Sequence, residues 1–241
     1  MESTPKNRAR TERLLDYELG YERRAGRAAY GINGYFMDYK DQLVLTGELN
    51  DVGAALRTNV PRSYRAGVEM SGAFQLAKRL LFKGNLALSR NKVLAFTEFV
   101  DDWDNGGQQV YGLGERDLSF SPEAVGGGEL GYRFWEGAAK GHATISWVTK
   151  YVGAQYVDNT SSADRKLAAY VVHDLRMNAS LLLLKGVRSL DINITVRNLF
   201  SELYESNGWS YAYVSEGRRQ SMVGLYPQAP LNVMGGLSMT F

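Results

Sequence analysis

The chain has 241 residues, with 28 Lys plus Arg against 26 Asp plus Glu and a formal net charge of +2, a balance that argues against a dedicated nucleic-acid binder. It has no cysteine and only two histidines, His142 and His173, which excludes disulfides, a cysteine nucleophile and cysteine- or histidine-rich metal centres. No stretch approaches the ~18 apolar residues of a membrane helix, whereas 15 Tyr, 26 Gly and 5 Pro, with scattered hydrophobic residues, point to extended antiparallel sheet.

Period-two alternation predicts nine strands, near 13–23, 28–43, 60–76, 80–93, 117–134, 141–153, 167–181, 189–199 and 229–241. In the first, Leu15, Tyr17, Leu19 and Tyr21 oppose Asp16, Glu18 and Glu22. The second alternates best through Tyr35, Met37 and Tyr39. In the third and fourth, Ala66, Val68, Met70 and Phe74, then Phe82, Leu86 and Leu88, form the apolar sides. The fifth is interrupted by Pro122 and Gly126–Gly128 but ends regularly through Leu130, Tyr132 and Phe134. Ala143, Ile145, Trp147 and Tyr151 define the sixth, and Val171, Leu175, Met177 and Ala179 the seventh. The eighth is strict, with Leu190, Ile192, Ile194 and Val196 opposing Asp191, Asn193, Thr195 and Arg197. Val233, Gly235, Leu237, Met239 and Phe241 carry the ninth.

The connections alternate in length. Short ones lie near 24–27, 77–79, 135–140 and 182–188, and long ones near 44–59, 94–116, 153–166 and 200–228. Alternating turns and long loops are the pattern of an outer-membrane β-barrel, whose loops face outward. Trp147, Tyr151, Tyr35 and Tyr39 fit an aromatic girdle on its apolar face. The polar face is permissive only, since a sandwich open to water has the same pattern. Nine strands are an odd number, which a complete bacterial barrel does not have, and an open sheet in lipid leaves two unsatisfied edges. The expectation is therefore part of a larger barrel.

Several stretches, in order along the chain, resemble one family. They are Pro5, Glu12, Leu15, Tyr17, Glu18, Leu19 and Gly20; Tyr35 with Tyr39, Lys40 and Asp41; Asn59, Ser63, Gly67 and Glu69; Phe120, Ser121 and Pro122; Tyr151, Val152, Tyr156, Asp158 and Asn159; Asn198, Leu199, Phe200 and Tyr204; and Tyr226, Pro227, Gln228, Ala229 and Pro230. Leu231 stands where Arg is commoner. Together they resemble the C-terminal barrel portion of TonB-dependent outer-membrane receptors of the iron-complex type. The resemblance implies an all-β transmembrane segment, about nine strands of a barrel of about 22. It makes residues 1–12 a lead-in and 13–241 barrel, with the plug domain, TonB box and early strands outside this sequence.

The resemblance also implies energised import of an iron chelate or similar large nutrient in the outer membrane of a Gram-negative bacterium, with no catalysis and no cofactor. Its partners would be outer-membrane lipid, the plug and remaining barrel, the TonB complex and the barrel-insertion machinery, which would read Phe241. Lumen residues such as Arg65, Glu69, Asp174, Arg176, Asp191 and Arg197 could meet a plug or merely be solvated. Two other readings stay open: a passive porin or structural barrel, and a soluble β-rich binding module.

Ligand specificity is expected in the outer loops, at Trp103, Asp104, Trp209, Tyr211 and Tyr213, whose aromatic rings could stack on a chelate or sugar. Packing of those rings on the loop itself is the favoured alternative. Glu98, Asp101, Asp102 and Asp104 lack EF-hand spacing, so a solvated acidic loop is preferred to a cation site. His142 falls on the polar face and His173 on the apolar one, with no nucleophile elbow or other catalytic signature.

Overall fold

The computed structural model describes residues 9–49, 55–137, 141–182 and 187–241. Pro5 of the opening motif and parts of the connections, at 50–54, 138–140 and 183–186, lie outside the described residues. In chain order the strands are β1 (Arg13–Ala25), β2 (Ala28–Leu49), β3 (Ala55–Ala77), β4 (Leu80–Val93), β5 (Phe96–Asp102), β6 (Gln108–Leu113), β7 (Arg116–Asp117), β8 (Ala124–Glu136), β9 (His142–Val152), β10 (Gln155–Tyr156), β11 (Lys166–Leu167), β12 (Tyr170–Leu182), β13 (Ser189–Arg197), β14 (Glu205–Ser215), β15 (Arg218–Pro227) and β16 (Asn232–Thr240). Among the described residues one 3-10 turn occurs, at Ala163–Arg165.

Nine of these strands form one antiparallel wall in the order β1-β2-β3-β4-β8-β9-β12-β13-β16, with β7 paired to β4 at one side. They are the nine read from the alternation. The order follows the chain because each turn or loop returns the next strand beside the last, as in an up-and-down barrel wall. The fifth begins later than expected, at Ala124, because Pro122 cannot donate to a ladder and Arg116–Asp117 pairs separately as β7. Gly126, Gly127 and Gly128 do not break the strand: they pair opposite Leu86, Asn85 and Gly84.

Register sorts the wall into two faces, because side chains of directly paired residues share a side. One row runs Tyr21, Ile32, Met70, Leu86, Gly126, Tyr151, Val171 across seven strands. Leu19 on the same face is 84 % exposed. From the row of Arg90 towards the turns, this face forms a band whose described positions carry no Asp, Glu or Lys and, beyond Arg90 itself, no Arg other than Arg23 at the end of β1. Along β3 that band spans Ala66 to Phe74, about 26 Å at ~3.3 Å per residue. Thr149 and His173 are its polar side chains apart from tyrosine and tryptophan, and they are opposite one another. The Trp147 indole donates to Thr149 Oγ1 at 3.1 Å, and Thr149 Oγ1 lies 2.9 Å from His173 Nδ1. Phe200 packs edge-on to His173.

The register corrects one sequence expectation. Tyr35 and Tyr39 are not on the apolar face: they pair with Glu18 and Leu14, and the apolar row takes Tyr30, Ile32 and Phe36 instead. Both parities of β2 contain apolar residues, so only the partners β1 and β3 decide which side is which. Tyr35 lies over Gly67, where a Cβ would sit 2.5 Å from the Leu88 carbonyl oxygen and 2.7 Å from the Tyr35 hydroxyl. Trp147 and Tyr151 do occupy the apolar face.

The long connections are more ordered than loops. β5, β6, β14 and β15 form a second, four-stranded sheet in the order β15-β14-β5-β6, and β10 pairs with β11. Apart from Ala143, the buried apolar residues lie at this loop side of the wall. Val44, Val60, Val93, Phe96 and Leu118 make one cluster, and Val100, Ala212 and Val214 another, with Tyr111 against it. Asp41 at φ 54° begins the inward turn of β2, after which Gln42 accepts a 2.5 Å bond from Ser63 and Val44 enters the first cluster. β1, at one end of the wall order, is exposed along its whole length.

Candidate ligand-binding site

Strand alternation builds the site on β14. Ser210, Ala212 and Val214 point into the protein, which leaves Trp209, Tyr211 and Tyr213 side by side on the other face. β14 pairs parallel with the end of β5 at Tyr213–Asp101 and Val214–Asp102, and the Trp103 amide continues this by donating to the Val214 carbonyl at 3.0 Å. That junction brings together residues 112 apart in sequence. Trp103 stacks on Tyr213, ring centroids 4.1 Å apart and 19° from parallel, with Tyr211 beside both, 5.8 Å from Tyr213 and 6.2 Å from Trp103. Trp103 remains 59 % exposed, so one indole face is open.

The tyrosines are fixed at their far ends. The Tyr211 hydroxyl donates to Asp101 at 2.7 Å and the Tyr213 hydroxyl to Gln220 at 3.0 Å. Trp209 shares their face but lies over Gly224 of the neighbouring strand, where a Cβ would come within 2.2 Å of the indole nitrogen. Asp104 is engaged in shaping the site: its carboxylate accepts the Glu216 and Gly217 amides at 2.9 and 2.8 Å, closing the β14–β15 turn. Of the five candidate residues, Trp103, Tyr211 and Tyr213 form one continuous platform, Trp209 extends its strand face, and Asp104 holds its turn.

The acidic run before Trp103 is not a solvated loop. Every carboxylate in it has a partner within the protein. Asp101 accepts from Gln108 and Tyr211. Asp102 accepts the Gln109 side chain and the Asn105 and Asp104 amides, and those bonds, Gln109 first, hold its carboxyl below the usual carboxylate range. Among the described residues no group of acids or histidines is arranged to hold a metal.

Glu98 belongs to a buried ion cluster under the platform. Arg165 Nη1 donates to Glu98 at 2.9 Å and to Asp158 at 2.6 Å, while Arg219 donates to the other Glu98 oxygen at 2.5 Å. Asp158 also accepts from Ser210 at 2.7 Å and from the Thr160 amide and hydroxyl at 3.0 and 2.6 Å. Burial pushes the Arg165 guanidinium down, but Asp158 and Glu98 outweigh it and hold the group above its ordinary value. Its Nε is buried without a hydrogen-bond partner. Arg219 also covers the Tyr111 ring, 5.2 Å from its centroid. Beside the cluster, Asp164 accepts from Ser162 and Ser221, which keeps its carboxyl low.

Sequence reasoning missed Arg165, Arg219 and Tyr111. Asp158 was singled out by its motif, and a buried carboxylate demands a cation, but nothing local says which one. Other motif residues prove to be fasteners between wall and loops. Asn159 accepts the Ser119 amide at 2.8 Å and donates to the Leu45 carbonyl. Asn59 donates to the Asp41 carbonyl at 2.7 Å. Asn198, at φ 49°, donates to the carbonyls of Glu202 and Ala229 at 2.9 and 3.2 Å.

Comparison with known proteins places this geometry. The family model described as TonB dependent receptor-like, beta-barrel, matches residues 9–199. Among solved structures, the chain is similar to the ferric-catecholate import receptor Fiu from Escherichia coli K12 (TM-score 0.61, 14 % identity, 99 % of this chain and 29 % of that one). It is also similar to BauA, the ferric preacinetobactin receptor from Acinetobacter baumannii (TM-score 0.63, 14 % identity, 94 % and 29 %). A third is the copper transporter OprC (TM-score 0.62, 15 % identity, 95 % and 31 %). At these identities the likeness shows the fold, and the chain spans under a third of each of those chains. No curated protein matches the chain.

Proposed function

The chain belongs to the TonB-dependent receptor β-barrel family, and from that premise we propose that it serves as barrel wall and outer binding surface for energised import across the outer membrane of a Gram-negative bacterium. Residues 13–241 act as a barrel segment whose two outer strands, β1 and β16, pair with the rest of a larger barrel of about 22 strands. The apolar band faces lipid, where its height matches the ~25 Å apolar belt of such barrels. The opposite face, with Arg65, Glu69, Arg176 and Asp191, lines the passage and meets a plug that the TonB complex pulls. Phe241, at the end of the apolar row of β16, is the signal read by the insertion machinery. The chain performs transport without catalysis.

The substrate is a large planar or aromatic metal chelate, with a ferric siderophore the first candidate. The observation that carries this is the Trp103–Tyr213–Tyr211 stack, open on one indole face and rigidly backed. Aromatic faces favour conjugated rings, and an offset stack contributes about 0.5–1.5 kcal/mol beyond the area it buries. Asp104 contributes by holding the second hairpin in place under Trp103. Ferric catecholate titrated into the full chain in detergent micelles should quench tryptophan fluorescence saturably. Trp103→Ala and Tyr213→Ala should each weaken binding about tenfold, roughly 1.4 kcal/mol. Unchanged binding in both variants would remove the platform from the reading. Retained binding in Trp209→Phe is expected.

A further inference from the structure

The loop-side rim of the apolar face carries a concentration of positive charge that the import reading leaves unused. Cross-strand register sets Arg13 opposite Lys40 and Lys40 opposite Arg62, three cations in one row. Arg90 stands two rows nearer the band, opposite Ala66. Like charges directly opposite on a sheet repel, so this row needs counter-charge. Asp38 supplies part of it, accepting both its bonds from Arg62 at 3.0 and 3.1 Å. Asp41 lies 3.5 Å from Arg10, and Asp117 takes Lys92 at 2.6 Å. Arg13, Lys40 and Arg90 are exposed and, among the described residues, make no ion pair.

The patch is local. On the other five wall strands, the last loop-side positions of this face are Ala124, Tyr151, Val171, Val196 and Val233, none of them charged. At the turn side of β1–β4, the described positions of the apolar face offer one cation, Arg23, opposite Tyr30. Beneath the row of Arg13, Lys40 and Arg62 lie Tyr17, Phe36 and Tyr64, the last two stacked at 6.1 Å, with Arg90 level with Tyr17 and Phe36. The order along β1–β3 is therefore apolar band, aromatic rings, then a row of cations. That is the sequence of environments a bilayer presents from acyl chain to headgroup.

We propose that this corner of the rim, on β1–β4, binds the phosphate groups of outer-leaflet lipid headgroups through Arg13, Lys40, Arg62 and Arg90. The inference rests on the membrane placement proposed above. Guanidinium groups match phosphate oxygens two at a time. Long Arg and Lys stems lie along the apolar surface while their heads reach the phosphates. The occupant is lipid rather than free phosphate because the site has no enclosing wall and opens directly onto the lipid-facing band.

The test places a photoreactive phenylalanine analogue at position 64, or at position 32 in mid-band, of the full chain. The chain is reconstituted in bilayers of equal parts phosphatidylglycerol and the phosphate-free digalactosyldiacylglycerol. Position 64 should capture phosphatidylglycerol in preference to the glycolipid, and inorganic phosphate should not compete. The triple variant Arg13→Gln, Lys40→Gln, Arg90→Gln should lower that preference about tenfold, with capture at position 32 unchanged. The charge-keeping variant Arg13→Lys, Lys40→Arg, Arg90→Lys should retain most of it. Equal capture of both lipids at position 64, or a preference that survives the triple variant, overturns the proposal and leaves the membrane placement standing. No lipid captured at position 32 overturns the placement and the proposal together.

Discussion

Replacing Asp158 by alanine probes the fastening of the outer sheet most directly. Asp158 is fully buried and accepts four hydrogen bonds, from Arg165, Ser210 and, twice, Thr160. Its loss leaves Arg165, 3 % exposed, with Glu98 alone, and Glu98 is already shared with Arg219. Removing one partner of a buried ion pair costs about 3–5 kcal/mol, because the remaining charge stays desolvated. The cost falls on the local stability of the outer sheet, since the cluster joins β5, β14, β15 and the 3-10 turn and no wall strand. Hydrogen exchange of the chain in detergent should show amides of β5 and β14 exchanging at least a hundredfold faster, as about 3 kcal/mol requires. Amides of β3 and β9 should keep their protection. Asp158→Asn, which preserves shape and some of the bonds, should cost less. Unchanged exchange in β5 and β14, or an equal loss in the wall, would refute the assignment of this cluster as the outer sheet's fastener.

Gly67→Ala should destabilise the wall by about 1–3 kcal/mol, because its Cβ would meet the Leu88 backbone oxygen, which cannot swing aside; a lower temperature for the folded-to-unfolded gel shift reads this. Thr149→Val should cost about 1–3 kcal/mol by stranding His173 and the Trp147 indole on the apolar face. The double variant Thr149→Val, His173→Phe should recover part of that loss in the same assay. Acid should loosen the outer sheet: the folded carboxyls of Asp102 and Asp164 lie below their unfolded values. Their contribution is therefore complete above the unfolded carboxyl value of ~3.9 and is lost as pH falls through the lower folded values. Limited proteolysis at the β5–β6 and β14–β15 turns should stay constant from neutral pH to about pH 5 and rise only near or below pH 3.

What was legible in the sequence was what a strand expresses locally. Alternation at period two located all nine wall strands, since each residue's side is set by its neighbours two positions away. Chain motifs carried the family, and the two aromatic loops were marked as candidates. The eighth strand, Leu190–Val196, could be read without a partner because only one of its faces is apolar. The second strand could not: Tyr30, Ile32 and Phe36 compete with Tyr35, Met37 and Tyr39, and pairing with Leu19 and Val68 on either side decides.

The loops show the same division more sharply. The sequence by itself determined that Trp103, Tyr211 and Tyr213 were aromatic, that the run from Glu98 to Asp104 was acidic and that Asp158 stood in a recurring motif. Only the tertiary structure decided that the first three make one platform, that each acid has its own donor and that Arg165 answers Asp158. The physical reason is range. Backbone alternation is a property of adjacent residues, whereas a parallel pairing between residues 101 and 213, or a cation chosen for a buried carboxylate, depends on segments that become neighbours only after the wall has folded.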